Sequence, residues 1–112
     1  MSKFAFFAFN GNKMCFQHIL LNALDMDDKG MDAKIIVEGE SVTLIKELEE
    51  STNKHYFEAK DRGLFDCICK ACSASLGVLE YNQSTDIPLK GDMKGHPSME
   101  AYISEGYQII TL

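Results

Sequence analysis

Three thiols lie close together near the middle of the chain. Cys67, Cys69 and Cys72 form a C-x-C-x-x-C run, and Cys15 is the fourth cysteine. Without an export signal, thiols crowded in this way are typical of redox, sulfur or metal chemistry and not of structural disulfides. The thiolate is the reactive form of cysteine, so the chemistry depends on which structural element holds each sulfur.

Apolar strand-like runs alternate with helical stretches along the chain. Strands are predicted at residues 3–9, 33–37, 64–70, 87–89 and 107–112, of which the fourth is weakened by Pro88. Helices are predicted at residues 13–26, 41–50, 54–62, 72–77 and 97–105. This alternation predicts a single α/β domain over residues 1–112, with a mainly parallel five-stranded sheet and helices on both faces.

Capping residues and an apolar stripe support these boundaries. Asn12 and Ser41 are predicted N-caps, and Gly63 is predicted to follow the end of a helix. The first helix carries apolar residues at helical spacing, which we expect to face the sheet: Phe16, Ile19, Leu20, Ala23 and Leu24.

Ligands of parallel sheets bind outside the carboxyl ends of the strands. In this chain those ends lead into residues 10–15, 38–41, 70–75 and 91–96. The sequence therefore predicts a ligand-binding edge that includes Asn10, Cys15, Glu38, Lys70 and Ser73. Cys15, Cys72 and His96 are expected to share this edge, although the alternation does not fix the order of the strands.

Cys72 is the strongest candidate for a reactive thiol. It lies where a strand gives way to a helix, and unpaired helix N–H groups stabilise an anion there. Cys67 and Cys69 should point to the same side of their strand, with Cys67 in the core. Cys69 is nearer the strand end, and both a core role and an active role stay open for it. His96 is a candidate acid, base or anion partner, or a cap of the last helix.

Cys69 and Cys72 also form a C-x-x-C pair, which suits a redox disulfide or two metal ligands. A thioredoxin-like exchange is disfavoured because Cys69 is still on the strand. A zinc site normally needs a second C-x-x-C or a pair of histidines, but His18, His55 and His96 are scattered. No metal and no cofactor are therefore expected, and a mixed site of Cys69, Cys72 and His96 is the weaker alternative.

The charge balance disfavours nucleic acid and membrane as partners. The formal net charge is −6, from 17 acidic and 11 basic residues, whereas a nucleic-acid surface needs a basic face. No apolar run approaches the roughly 20 residues that span a bilayer. The amino-terminal apolar run ends without a cleavage signal, so we expect a strand there and a soluble, cytoplasmic protein.

The order of these segments resembles the DsrE/DsrF/TusD-like family of small cytoplasmic sulfur-relay proteins. The similar segments cover nearly the whole chain: the opening strand, VEGESV at 37–42, CSASLG at 72–77, KGHP at 94–97 and GYQIITL at 106–112.

The resemblance implies a three-layer α/β/α sandwich of the flavodoxin-like class and a homo-oligomer, such as a dimer, trimer or hexamer. It implies that Cys72 carries a persulfide, as a sulfur carrier or sulfurtransferase, between a donor protein and an acceptor protein. Helix N–H groups can stabilise that persulfide without a cofactor, and Cys69 within reach can resolve it. The additional thiols depart from the family's single-cysteine pattern. They leave open a metal- or redox-active thiol module, and a non-catalytic oligomeric module that binds a ligand or partner is a further alternative.

Overall fold

The computed structural model describes residues 2–112, which fold around a five-stranded parallel sheet. The strands are β1 (Lys3–Ala8), β2 (Asp32–Val37), β3 (Phe65–Cys69), β4 (Leu89–Lys90) and β5 (Gln108–Thr111). The helices are α1 (Lys13–Asp28), α2 (Leu44–Glu50), α3 (Lys54–Asp61), α4 (Lys70–Ser75), α5 (Leu79–Gln83) and α6 (Met99–Ser104), with a 3₁₀ helix, Gly39–Thr43, before α2. The spatial order is β4-β3-β2-β1-β5, so the chain builds outward from β1 and then crosses back to add β5.

Strand side chains alternate between the two faces of the sheet, and each face has its own apolar cluster. The larger cluster joins one strand face to α1, α2 and α3, and its strand members include Phe6, Ala8, Ile35, Val37 and Ile68. The smaller cluster lies under α6 and consists of Ala5, Phe7, Ile36, Cys67, Tyr102 and Tyr107. Both faces are therefore covered, as all-parallel sheets require, and the predicted three-layer α/β/α architecture is confirmed.

The predicted first helix is confirmed in detail. Its five-residue apolar stripe is buried as a whole. The Asn12 side chain accepts a hydrogen bond from the backbone N–H of Cys15 at 3.1 Å, which is the N-cap contact that the sequence predicts. Gly63 follows α3 with a φ of +74°, a value that favours glycine.

Ser41 is not an N-cap, contrary to the sequence prediction. It lies within the 3₁₀ helix and is completely buried. Its hydroxyl donates to the carbonyl oxygens of Ala8 at 2.6 Å and Glu38 at 2.7 Å. The Ser41 hydroxyl therefore shares its one proton between two backbone acceptors beside the ends of β1 and β2. The helix that was predicted from residue 41 begins as a 3₁₀ turn two residues earlier.

The second half of the chain departs further from the predicted boundaries. The fourth strand is displaced from 87–89 to Leu89–Lys90, because Pro88 lacks an N–H and contributes only its carbonyl, which accepts from Ile68 at 2.8 Å. The helix predicted at 72–77 begins earlier, as α4, and α5 was not predicted. The last helix is shorter than 97–105, because Ser98 caps it by accepting from the N–H of Ala101 at 3.3 Å.

A β-bulge sets the register between β2 and β3. Asp66 is the extra residue, so Cys67 pairs with Ile36 and Ile68 pairs with Val37. Within residues 2–112, no helix combines the length and the apolar character that crossing a membrane demands.

A carboxylate with three donors ties α2 to α3 and α5. Glu49 accepts hydrogen bonds from the hydroxyls of Tyr56 at 2.7 Å and Tyr81 at 2.8 Å, and from the ammonium of Lys60 at 3.0 Å. Burial by itself raises the pKa of Glu49, but these donors outweigh burial and hold the pKa below its usual value. The ionised carboxylate therefore stabilises the folded state.

We expect Glu49→Gln to lower the free energy of unfolding by about 1.5–3 kcal/mol at about pH 7, the usual value of a charged hydrogen bond. The folded-state pKa is depressed, so this contribution is present above the unfolded pKa and is lost as the pH falls through the folded pKa. Urea unfolding of the wild type and of Glu49→Gln, from about pH 7 to about pH 3, measures the difference in their free energies of unfolding. The difference should shrink with acid, whereas the exposed control Glu50→Gln should change little. A difference that is constant with pH would contradict the assignment.

The loop between β4 and α6 folds back against the start of α4. Met93 and His96 exchange backbone hydrogen bonds of 2.8 and 2.9 Å, and the N–H of Ala71 donates to the carbonyl of Gly95 at 2.9 Å. Gly95 has a φ of +94°, and a Cβ atom added there would lie 2.9 Å from the Cβ of Ala71. Glycine at this position therefore permits the close approach that places the loop on α4.

We expect Gly95→Ala to destabilise the fold by about 2–4 kcal/mol, since left-handed backbone strain adds to overpacking against α4. Gly30→Ala is the matched control, because Gly30 has a φ of +82° and open space around it. That control should show the backbone strain alone, about 1–2 kcal/mol. Equal losses of the free energy of unfolding in the two variants would show that the contact with Ala71 is not tight.

Candidate functional site

Four side chains that suit thiol, proton-transfer or metal chemistry meet at the carboxyl edge of the sheet. Glu38 directly follows β2, Cys69 ends β3, Cys72 lies in the first turn of α4, and His96 lies in the loop before α6. One ligand atom from each of the four lies within 4.8 Å of the other three. We call these four residues the edge cluster.

The strand register explains why distant parts of the sequence meet here. Val37 and Ile68 are paired on neighbouring parallel strands, so the residues that follow them, Glu38 and Cys69, emerge side by side. The chain enters α4 at once, and Cys69 serves as the N-cap of that helix. Its sulfur accepts from the backbone N–H of Cys72 at 3.4 Å. The thiol at the N-cap is therefore that of Cys69, and Cys72 is the third residue of the helix.

His96 is the centre of the edge cluster. Its Nδ1 atom lies 3.1 Å from the sulfur of Cys69 and 3.6 Å from the sulfur of Cys72. The same nitrogen is 3.2 Å from Oε1 of Glu38. A carboxylate oxygen and two sulfur atoms therefore surround one ring nitrogen.

Burial differs sharply among the members. Glu38 is 8% exposed and Cys69 is completely buried, whereas Cys72 and His96 are half-buried. Burial raises the pKa of Glu38, although the charge and the hydrogen bond of His96 offset part of the rise. Burial also raises the pKa of Cys69 to about 12; the backbone N–H of Cys72 offsets part of this rise, whereas the Cys72 thiol and Glu38 add to it. Cys69 is therefore a protected thiol, and Cys72 is the thiol that solution reagents reach.

Ser73 holds the site in place from behind. Its buried hydroxyl donates to the carbonyl of Cys69 at 2.7 Å and accepts from the amide of Asn82 at 3.1 Å. The same amide donates to the carbonyl of Val42 at 3.1 Å. Ser73 was predicted as part of a ligand-binding edge, but its hydrogen bonds point into the protein, where they fix α4 against α5 and the 3₁₀ helix.

The other predicted edge residues lie outside the edge cluster. The side chain of Asn10 accepts from the N–H of Asn12 at 2.7 Å, and Lys70 is exposed. Cys15 is half-buried beside an apolar groove lined by Met14, His18 and Leu112. Because β2 lies between β1 and β3, the thiol that follows β1 is not a neighbour of the thiols that follow β3.

Cys67 is a core residue, as the sequence predicts. It is buried in the smaller cluster, where its sulfur lies 3.5 Å from the hydroxyl of Tyr102. Burial raises the pKa of Cys67 to about 11. Cys69 instead packs with the larger cluster, and its sulfur faces His96. The prediction that Cys67 and Cys69 point to the same side of the strand is therefore wrong.

Sequence reasoning placed Glu38 on the ligand-binding edge but did not predict that it is buried beside the thiols. The overlooked signal is its position directly after the buried run of β2, where a side chain is still covered by neighbouring strands. Gly95 was also overlooked as the residue that lets His96 approach α4. The site as a whole offers a thiol that solution can reach, a buried second thiol, an imidazole that can carry a proton, and a carboxylate. All four can also act as metal ligands.

Comparisons with known proteins identify relatives but no established activity. No family model and no solved structure matches the chain. A protein of Archaeoglobus fulgidus, named "Uncharacterized protein", is 34% identical over 56 residues, which cover 48% of this chain and 92% of that protein. "Uncharacterized protein MJ0733" of Methanocaldococcus jannaschii is 34% identical over 104 residues, which cover 90% of this chain and 83% of that protein. The chain therefore belongs to the family of the Methanocaldococcus jannaschii protein MJ0733.

Proposed function

We propose that this chain is a cytoplasmic, DsrE-like sulfur carrier that holds a persulfide on Cys72 and passes it to a partner protein. The observation that carries the proposal is a half-buried thiol paired with a fully buried one, with His96 Nδ1 in contact with both sulfurs. The resemblance of the sequence to the sulfur-relay family supplies the reaction class. The three-layer fold is the one that this resemblance implies.

Loading of Cys72 is a transfer of one sulfane sulfur. The Cys72 thiolate attacks the outer sulfur of a donor persulfide, R–S–SH. The S–S bond of the donor breaks, its inner sulfur leaves as R–S⁻ with the electron pair, and a new bond gives Cys72–S–SH. His96, 3.6 Å from the Cys72 sulfur, is the base that removes the thiol proton beforehand. In delivery, a thiolate of the acceptor protein attacks the outer sulfur, and Cys72 leaves as the thiolate.

Cys69 provides a second outcome for the persulfide. Its sulfur lies within 4.8 Å of the Cys72 sulfur. The Cys69 thiol passes its proton to His96 Nδ1 at 3.1 Å, and its sulfur attacks the inner sulfur of the persulfide. This attack expels HS⁻ and leaves a Cys69–Cys72 disulfide, which an external dithiol can reduce. Because Cys69 is completely buried, it reacts with the bound persulfide and not with donors from solution.

Intact-mass spectrometry of the reduced, chelator-treated protein tests the carrier. We expect exposure to polysulfide to add about 32 Da per sulfur atom, in a form that dithiothreitol removes. Cys72→Ser should abolish the gain, since Cys72 is the attacking thiol. Cys69→Ser should keep the gain and lengthen its lifetime, because the resolving thiol is absent.

Cys15→Ser is the matched control, since Cys15 is also half-buried but lies outside the edge cluster. It should load sulfur like the wild type. Unchanged loading of Cys72→Ser would refute Cys72 as the carrier. A gain in no variant would instead favour a module that binds a ligand or partner without sulfur transfer.

We also propose that the carrier is a homo-oligomer, a dimer, trimer or hexamer, which meets separate donor and acceptor proteins. The six-residue helix α6 is the helical cover of one whole sheet face, and its Ile103 is 58% exposed. A single exposed apolar side chain is ordinary on a protein surface, so Ile103 serves here as the probe of a contact between copies.

Light scattering should give a mass of two, three or six times the 12.6 kDa mass of one chain. Ile103→Glu should shift the population towards the monomer, because a charge is costly to bury at an interface. Leu21→Glu, at a 44% exposed position on α1, is the control and should not shift it. A monomer at every protein concentration would contradict the proposal.

A further inference from the structure

The edge cluster has the donor set of a tetrahedral metal site. Glu38 offers a carboxylate oxygen, Cys69 and Cys72 offer sulfur, and His96 offers Nδ1. Zinc in proteins is bound by these three donor types, with four ligands in most cases. The four side chains come from three separate segments of the chain. Their relative positions are therefore set by the tertiary fold and not by one local loop.

The spacing of the atoms is compatible with four-coordination. Typical bonds of about 2.3 Å to sulfur and about 2.0–2.1 Å to nitrogen or oxygen put neighbouring tetrahedral ligands about 3.3–3.6 Å apart when one of them is nitrogen or oxygen, and about 3.8 Å apart when both are sulfur. The distances from His96 Nδ1 are 3.6 Å to Cys72, 3.1 Å to Cys69 and 3.2 Å to Glu38. The three pairs that do not involve His96 lie within 4.8 Å, so side-chain adjustments of up to about 1.2 Å bring all four ligand atoms to bonding distance around one ion.

His96 Nδ1 has more neighbours in the edge cluster than its single proton or lone pair can serve. One imidazole N–H can serve one acceptor fully, but the carboxylate and two sulfurs all surround Nδ1. Among the ion pairs of residues 2–112, the partner of Glu38 is His96, and no lysine or arginine joins it. An ionised carboxylate on Glu38, which is 8% exposed, and a thiolate on the completely buried Cys69 are both costly to bury without a cation. A bound ion would contact all four donors at once.

We infer that Glu38, Cys69, Cys72 and His96 form a four-coordinate site for Zn²⁺. His96 binds through Nδ1 and carries its proton on Nε2, and both cysteines bind as thiolates after releasing their protons to solvent. The backbone N–H of Cys72, which points at the Cys69 sulfur, supports that sulfur from the second coordination shell. The inference does not depend on the sulfur-carrier proposal. Since both thiolates are ligands, zinc occupancy and persulfide loading exclude one another.

Zinc binding by the reduced full-length chain tests the site. Zinc is removed with a chelator and added back, free metal is washed out, and bound zinc is measured by elemental analysis. We expect one zinc ion per wild-type chain. Replacement by Co²⁺ should give thiolate-to-cobalt charge-transfer absorption and the intense visible bands of tetrahedral cobalt.

Cys72→Ser and His96→Ala are the decisive variants, since both residues are half-buried and tolerate replacement better than Cys69. Each should weaken zinc binding at least tenfold in a chelator competition, with an unchanged far-ultraviolet circular dichroism spectrum. Cys15→Ser and His18→Ala are the matched controls, which remove a thiol and an imidazole outside the edge cluster and should bind as the wild type does. Equal zinc content in the wild type and Cys72→Ser would overturn the inference.

Glu38→Gln tests the fourth ligand. The neutral amide is a poorer ligand than the carboxylate, so zinc affinity should fall at least tenfold while the thiolate-to-cobalt absorption is retained. Wild-type affinity in Glu38→Gln would overturn the four-ligand site. Intact-mass measurements separate the two proposals: a chain that takes up sulfur on Cys72 but holds no zinc refutes the metal site alone. A chain that holds zinc but takes up no sulfur after chelation refutes the carrier alone.

Discussion

The parallel pairing of β2 with β3 is the constraint on which the candidate site depends. It sets Val37 opposite Ile68, so that the next residues, Glu38 and Cys69, leave the sheet as neighbours. The bulge at Asp66 is part of this constraint, because a slip of one residue turns every later side chain of a strand to the opposite face. Without the bulge the thiols of β3 would meet different surroundings. The positions of α4 and its Cys72 follow directly from where β3 ends.

Buried polar groups behind the site make its geometry rigid. The hydroxyl of Ser41 ties the ends of β1 and β2 together, and that of Ser73 holds the carbonyl of Cys69. Each buried donor or acceptor that lost its partner would carry a desolvation penalty of about 1–3 kcal/mol. These contacts therefore resist displacement of the strand ends. The loop with His96 is held in a different way, by the close backbone approach of Gly95 to Ala71.

The two proposals for the edge cluster draw on one chemical property. A polarisable sulfur near an imidazole attacks sulfane sulfur readily, and the same sulfur is a soft ligand for a borderline-soft cation. Cys72 is the member that decides between these uses, because its sulfur is both reachable from solution and directed towards His96. Bound zinc would protect the thiol pair from oxidation, and its release would free the nucleophile. If both proposals hold, sulfur supply and metal supply would compete for one pair of thiols.

The sequence by itself determined the α/β class, the strand count, the buried face of α1 and the core position of Cys67, because apolar periodicity and capping are local properties. It also singled out Cys72 and His96, and it placed Glu38 on the right edge. It failed for Ser41, for the displaced fourth strand and for α5, where tertiary hydrogen bonds and the missing N–H of Pro88 decide the boundaries. Only the tertiary structure decided that Glu38 and His96 join the two thiols while Cys15 does not. Strand order and a bulge set those distances, and neither leaves a periodic signal in the sequence.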